Sequence, residues 1–501
     1  MPHRLGRVGA LSAAQAPAGE PAVGGPARLA DGGLGGPQLR FGRTVALSVG
    51  IQGPVAGVIV GPAVLAGIVG GSGALAYLLG LVAMAFVAYA FVIFSRSFSS
   101  AGSVYAFNGS ALGPRYGFVS AWILLLVYVS FAGGVYASTA DIAQTLLASL
   151  GLHLWWVWLA LAGAAVTIVF AYRSIGFSSL VIFVCEGIAL VLLAVVGVAV
   201  VAHGGSPHHP PLSTAPFRPH GIALGVLGLG VVNAFSAFSG FEGAATLGEE
   251  SRRSTRTIPA AVAWSLVGAA AVYIVFTWIA DNAYPTAAAL AAAPAPFVHL
   301  ATLDIGPAVG TAVNVAGVIS AFGAQLACVN AANRLLYALA RDLAPPGTTR
   351  RFLTRTHRRW GSPIGALGVT AAASVAALLA FSFEHSAVRA LTIIVEFGAY
   401  LIIVAYLLTV IAAMAWTWRC RRRPFPLTVL GIGVGILGYV LYDTFVPFPA
   451  APFDWVIAAA AATVAAGVVV TLLPETHGRL IDSPLLRATR RAAVAGAPGE
   501  A

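Results

Sequence analysis

Residues 231–260 read VVNAFSAFSGFEGAATLGEESRRSTRTIPA, and the fold of the whole chain turns on this stretch. It begins as an apolar helix and reaches Ser239-Gly240, then Phe241-Glu242-Gly243. It leaves the apolar zone at Glu249-Glu250 and ends in an arginine-rich turn closed by Pro259. Small residues weaken the helix at its centre, because glycine adds backbone freedom and lowers helix propensity. A carboxyl group, Glu242, stands beside that weak point. Inside a bilayer, broken backbone is tolerated only where protein or a water-filled cavity takes up the freed amides and carbonyls. A break beside an ionisable group therefore predicts a binding site. The alternative is a kinked packing helix whose glutamate is satisfied by a neighbouring hydroxyl.

The rest of the composition agrees with a membrane setting. Of 501 residues, 59% are hydrophobic and only 9% charged, with mean hydropathy +0.88. Soluble domains carry about a quarter charged residues, so the chain is expected to be an all-α polytopic membrane protein. All 28 basic residues are arginine, giving a net charge of +11. They fall in short loops and tails, where positive charge sets topology, so no nucleic-acid partner is expected. Cys185, Cys328 and Cys420 lie in or beside apolar runs, which argues against a disulfide framework or a Cys/His zinc site. Residues 1–43, rich in Ala, Gly and Pro, read as a disordered basic tail with no apolar segment of the signal-peptide kind.

Twelve apolar runs long enough to cross a bilayer follow. They cover about residues 44–70, 74–95, 116–147, 154–171, 178–202, 221–248, 259–281, 308–339, 363–382, 387–418, 427–442 and 454–473, with a C-terminal tail over 474–501. Arginines concentrate in the even-numbered gaps and both tails; the odd-numbered gaps hold only Arg218 and Arg389. The positive-inside rule then puts both termini in the cytoplasm. Trp155, Trp156 and Trp455 on the outer side, and Trp416 and Trp418 on the inner side, fit interfacial belts.

The first run is interrupted like the sixth. It reads SVGIQGPVAGVIVGP over residues 48–62, with Pro54 and Pro62 each removing a backbone donor and Gly50, Gly53 and Gly57 permitting a bend. Interrupted first and sixth runs are the pattern of two five-helix repeats, here 44–202 and 221–418, with a substrate site between them and the runs over 427–473 appended. Opposed half-helix ends offer free amides to an anion and free carbonyls to a cation. A zwitterion or amine satisfies that arrangement better than a sugar or a lone ion.

With these residues in view, the chain resembles the amino acid–polyamine–organocation transporter superfamily. The matching segments are FSGFEGAATLGEESRRSTRTIPAA from residue 238, SAGSVYAFNGSALGPRYGFVSAW over 100–122, and NRLLYALARDLAPPGTTRRFLTRTHRRWGSP over 333–363. The looser match GPVAGVIVGPAVLA lies in the first run, and order and spacing agree over about 44–473. The resemblance implies a leucine-transporter-like five-plus-five inverted repeat working by alternating access. It implies an unwound Pro54-Val55-Ala56-Gly57, preceded by Gly53, whose amides hold a substrate carboxylate. Relatives often carry a Gly-Ser-Gly-like triplet where this chain has Val55-Ala56-Gly57, so a side-chain hydroxyl is missing. The ammonium would meet carbonyls near Phe235, Ser236 and Ser239 beside Gly240, with Phe235 and Phe238 either as an aromatic lid or as core. Ser320, Ala324 and Cys328 share one face of the eighth run and are candidates to line the pocket.

Glu242 matches a glutamate that some relatives use in gating or proton coupling, and Glu186, in the fifth run, is the second proton candidate. A helix-bracing hydrogen bond is the alternative for each. Relatives that replace sodium with a fifth-run lysine offer no precedent here, since the chain has no lysine. Asp141 and Glu396 are further carboxyls read as in or near the membrane. The histidines 203, 208, 209 and 220 read as a solvated loop rather than a metal site, and the basic run 348–359 as a topology determinant. No cofactor is expected, and no catalytic pair or nucleotide motif supports an enzyme. The reading is a secondary transporter of amino acids or related amines in the cytoplasmic membrane, proton-coupled, with an exchanger or a non-transporting receptor as alternatives. The sequence sets no oligomeric state.

Overall fold

The computed structural model describes residues 34, 38–98, 100–149, 151–204, 211–219, 221–420, 424–446 and 448–487. Most of the predicted N-terminal tail, His208, His209, His220, Arg421 to Arg423 and the end of the C-terminal tail lie outside the described residues. The helices run α1 (Phe41–Gln52), α2 (Pro54–Val69), α3 (Gly73–Ser97), α4 (Val104–Ala111), α5 (Pro114–Ser149), α6 (Trp156–Ala171), α7 (Ile175–Ala202), α8 (Leu224–Ala237) and α9 (Ser254–Ala283). They continue as α10 (Ala287–Ala291), α11 (Pro296–Asp304), α12 (Pro307–Leu343), α13 (Thr348–Leu353), α14 (Ile364–Leu379), α15 (Ala387–Cys420), α16 (Pro424–Phe445), α17 (Phe453–Leu472) and α18 (Pro474–Asp482). Among the described residues there is no strand, only an isolated bridge between Leu39 and Ser251.

All twelve apolar runs are present. Ten are long and apolar enough to cross a membrane, and α6 and α14 are shorter apolar helices of 16 residues each. Run 1 is α1 plus α2, and run 6 is α8 plus a 3-10 segment, Phe241–Leu247. Lengths repeat five runs apart: α5 has 36 residues and α12 has 37, while α6 and α14 have 16 each. Packing repeats in the same way. The partnership of α3 with α8 has its counterpart in α9 with α1; α5 with α15 matches α12 with α7, and α5 with α14 matches α12 with α6. Because five runs separate the counterparts, each pair starts from opposite sides of the bundle, which is the geometry of an inverted repeat. The breaks fall at matching depths, 12 residues into run 1 and 14 into run 6.

Close backbone approaches hold the bundle. A Cβ on Gly80 would lie 2.9 Å from the Cβ of Ala234 and 3.1 Å from the Phe235 nitrogen, so α3 and α8 nearly touch. Small residues at such crossings are how helices associate without a hydrophobic drive between them.

Several expectations change. The chain is helical through Pro62, so that proline does not break run 1. Residues 38–43, read as tail, are ordered: Leu39 N–H donates to the Glu250 carbonyl, Arg252 N–H donates to that of Leu39, and α1 begins at Phe41. The C-terminal segment also docks, with Leu480, Leu485 and Leu486 buried and Asp342 accepting hydrogen bonds from Tyr105 and Ser483. Trp156 is buried, donating to the Glu384 carbonyl, and Trp416 packs on Phe94 and Phe98, so neither is an interfacial anchor. Trp155, Trp418 and Trp455 are exposed, as a belt requires.

Candidate functional site

The break in run 1 is a single residue. Gly53 adopts φ +51° and ends α1, while Pro54 restarts the helix as the first residue of α2. Proline suits that position, where no intrahelical donor is needed. Residues 54–57, expected to be unwound, instead form the first turn of α2, because the left-handed Gly53 takes up the whole change of direction. Two donors survive, at Val55 and Ala56, since Pro54 has no N–H and the first-turn amides otherwise lack an intrahelical acceptor. Ala56 N–H donates to Ser320 Oγ over 3.2 Å, and Gly57 N–H turns back to the Gly53 carbonyl at 2.9 Å. The Gln52 carbonyl freed by the break accepts from Tyr273 OH at 3.1 Å. A Cβ on Gly57 would collide with that same Tyr273 ring.

Run 6 breaks over Phe238, Ser239 and Gly240, with φ +113° at Gly240, and continues as a 3-10 segment. Ser48 in α1 stitches the two breaks together. Its hydroxyl donates to the Phe241 carbonyl at 2.7 Å and accepts from Ala244 N–H at 2.7 Å. Glu242 folds back on the break: one oxygen accepts from Gly240 N–H at 3.0 Å and Tyr406 OH at 2.6 Å, the other from Tyr128 OH at 3.0 Å. Both carboxyl oxygens are thus engaged, by the break itself and by α5 and α15.

Glu186 is held differently. Its Oε1 accepts from Ser320 Oγ at 2.9 Å, while its Oε2 is buried with no hydrogen-bond partner. Ser320 therefore relays from the Ala56 amide in run 1 to Glu186 in run 5. Gln52 also buries an unpartnered Oε1, its amide nitrogen donating to the Ser48 carbonyl. Two acceptor oxygens without partners accordingly stand by the first break. Buried polar atoms are nearly always bonded, so these are the positions where an incoming donor gains most.

The other predicted residues divide. Ala324 abuts the break, its Cβ 3.5 Å from where a Gly53 Cβ would be, and Cys328 is buried further along α12. Phe238 packs edge-on against Tyr77 and Tyr273. Phe235 is buried and shares a cavity wall with Ala83 of α3 and residues of α16. The Ser236 hydroxyl donates back to the Val232 carbonyl, and the Phe235 and Ser236 carbonyls accept from the amides of Phe238 and Ser239. Ser48, Gln52, Tyr128, Tyr273 and Tyr406 were not anticipated. Gln52 carried a readable signal as the only amide side chain beside the first break; the tyrosines carried none.

The acidic pair after run 6 closes the arginine-rich end. Arg334 Nε lies 2.6 Å from Glu250 in a fully buried pair, and its Nη1 also donates to Asn330 and Asn333. Arg341 grips Glu249 with two bonds of 2.8 and 2.7 Å. Of the remaining carboxyls, Glu384 pairs with Arg389 at 3.3 Å.

The break makes one substitution diagnostic. A Cβ at Gly240 would stand 2.5 Å from Ile51 Cγ2 and 3.1 Å from the Gln52 nitrogen, at a φ that L-residues rarely adopt. Gly240→Ala is expected to cost about 1–3 kcal/mol and to lower the melting temperature in detergent. Gly431→Ala, which meets nothing within 4 Å, should leave it unchanged.

Comparison with known proteins fits this geometry. The family model described as amino acid permease matches residues 39–470. The methylthioribose transporter of Bacillus subtilis (strain 168) is 25% identical over 336 residues, covering 64% of this chain and 69% of the relative. The branched-chain amino acid permease BcaP of Lactococcus lactis subsp. cremoris is 28% identical over 321 residues, covering 59% and 65%. The low-affinity putrescine importer PlaP of Escherichia coli (strain K12) is 24% identical over 363 residues, covering 71% and 75%. The chain is a multi-pass membrane protein and not an enzyme, and it belongs to the amino acid permease family of transporters.

Proposed function

We propose that this protein is a secondary transporter that moves an amino acid or related amine across the cytoplasmic membrane by alternating access, coupled to protons. The observation that carries this reading is the pair of unpartnered buried oxygens, Gln52 Oε1 and Glu186 Oε2, beside the Gly53 break. The substrate carboxylate is assigned to the first-turn amide at Val55, beside the Ala56 amide that Ser320 holds, and its ammonium to Gln52 Oε1 and the carbonyls around Ser239. Proton coupling falls to Glu186 in preference to Glu242, because a carboxyl with a free oxygen has somewhere to take a proton, while both oxygens of Glu242 already accept hydrogen bonds. The repeats are assigned to 44–202 and 221–418, with both termini in the cytoplasm on the arginine distribution.

The relatives' names include a branched-chain amino acid, putrescine and methylthioribose, so the substrate screen spans all three kinds. Uptake into proteoliposomes, with and without an inward proton gradient, tests the proposal. Gradient-driven accumulation of an amino acid or amine is the expected result. Flux that requires preloaded substrate would make the protein an exchanger. Binding without flux would make it a receptor.

A further inference from the structure

The arginine-rich end of the bundle holds a cavity to whose wall neither break contributes. Its volume is about 510 Å³, and its wall includes Arg40, Arg43, Arg252, Leu180 and Phe183. The three arginines come from distant parts of the chain. Arg40 caps α1, Arg43 follows within its first turn, and Arg252 lies on the turn after the 3-10 segment of run 6. Backbone pairing of Leu39 with Glu250 and Arg252 gathers them. All three are exposed, and among the described residues none is in an ion pair with a carboxylate. Like charges drawn together without a counterion cost free energy, which an anionic ligand would recover.

The other wall specifies the kind of anion. Leu180 and Phe183, in the early turns of α7, are 42% and 58% exposed. On a membrane-crossing helix they face acyl chains. The cavity therefore has a cationic mouth at the helix ends and an apolar flank running along α7, the two-part shape of a phospholipid. Guanidinium forks match phosphate oxygens geometrically, and basic pockets between helices at a membrane face suit anionic headgroups. A soluble phosphate would use the mouth and leave the flank idle. We propose that this cavity binds the headgroup of an anionic phospholipid, which clamps the start of α1 to the turn that follows the broken sixth run.

The test is thermal stability and native mass spectrometry of the full-length protein in detergent, titrated with phosphatidylglycerol, with phosphatidylcholine, or with inorganic phosphate. Phosphatidylglycerol is expected to raise the melting temperature by several degrees and to stay bound in the gas phase. The triple variant R40Q/R43Q/R252Q should bind it at least ten-fold more weakly. R355Q/R358Q/R359Q removes equal charge from another exposed basic segment and should behave as wild type. Phe183→Gln, which alters only the apolar flank, should also weaken phosphatidylglycerol binding, so the proposal stays testable if the triple variant folds poorly. Equal stabilisation by phosphatidylcholine would overturn the site. An equal response to inorganic phosphate would assign the arginines to a soluble anion and overturn the lipid. Loss of binding in both triple variants alike would reduce the effect to net charge and overturn it too.

Discussion

Arg334→Met is expected to open the arginine-rich end of the molecule. Arg334 and Glu250 have side chains only 1% and 3% exposed, 2.6 Å apart. Removing one partner of such a pair leaves a charge buried alone, at about 3–5 kcal/mol. The pair joins α12 to the segment after the broken sixth run, so the cost falls on the state in which those elements touch. If opening separates them, the variant shifts the closed-to-open ratio by roughly 10²–10⁴-fold, since about 1.4 kcal/mol is one factor of ten. Cys328 reports the change. It is buried in α12, six residues before Arg334, and in a background lacking Cys185 and Cys420 it should become reactive to a permeant thiol reagent. Adding Glu250→Gln to Arg334→Met should restore much of its protection, because the orphaned charge is gone. A fall in melting temperature with Cys328 still protected would make the pair a static brace.

That pair also marks where sequence reading ends. The twelve runs were legible because hydropathy over about 20 residues is a local property. Both breaks were legible because glycine and proline act locally, although the sequence placed the first one over residues 54–57 and the structure confines it to Gly53. What Glu242 touches was not legible. Tyr128 and Tyr406 lie 114 and 164 residues away, and nothing in their local sequence distinguishes them from other tyrosines on apolar helices. The acidic pair Glu249-Glu250 was visible as a motif, but its division between Arg341 and Arg334 depends on how α12 passes the sixth run. The docked C-terminal segment was hidden for another reason. Its few leucines are diluted among polar residues, and only the surface formed by Gly102 and Gly109, where Leu485 and Leu486 settle, gives them something to bury against.

Glu186→Gln is expected to separate transport from its driving force. The amide keeps an oxygen able to accept from Ser320, so the relay from the Ala56 amide survives. What disappears is the ability of this side chain to take up and release a proton. Gradient-driven accumulation should fall to the passive level, while counterflow between preloaded and external substrate persists. The dependence of uptake on pH should flatten. Glu242→Gln should behave differently. Its carboxyl accepts from Gly240 and Tyr406 on one oxygen and from Tyr128 on the other; a glutamine oxygen can replace the first, and its NH2 then stands opposite Tyr128. The Tyr128 hydroxyl can turn to accept from that NH2, but its own O–H is then left buried without an acceptor, at about 1–3 kcal/mol, so this variant should lose thermal stability yet keep its pH response in the fraction that folds. Counterflow retained and pH response lost in Glu186→Gln, with the opposite pair of results in Glu242→Gln, assigns the proton to run 5 and the brace to run 6. A flat pH response in Glu242→Gln alone would reverse the two roles. Because Ser320 touches both the first break and Glu186, Ser320→Ala should weaken substrate binding and alter the pH profile together, by removing the hydroxyl that carries one to the other.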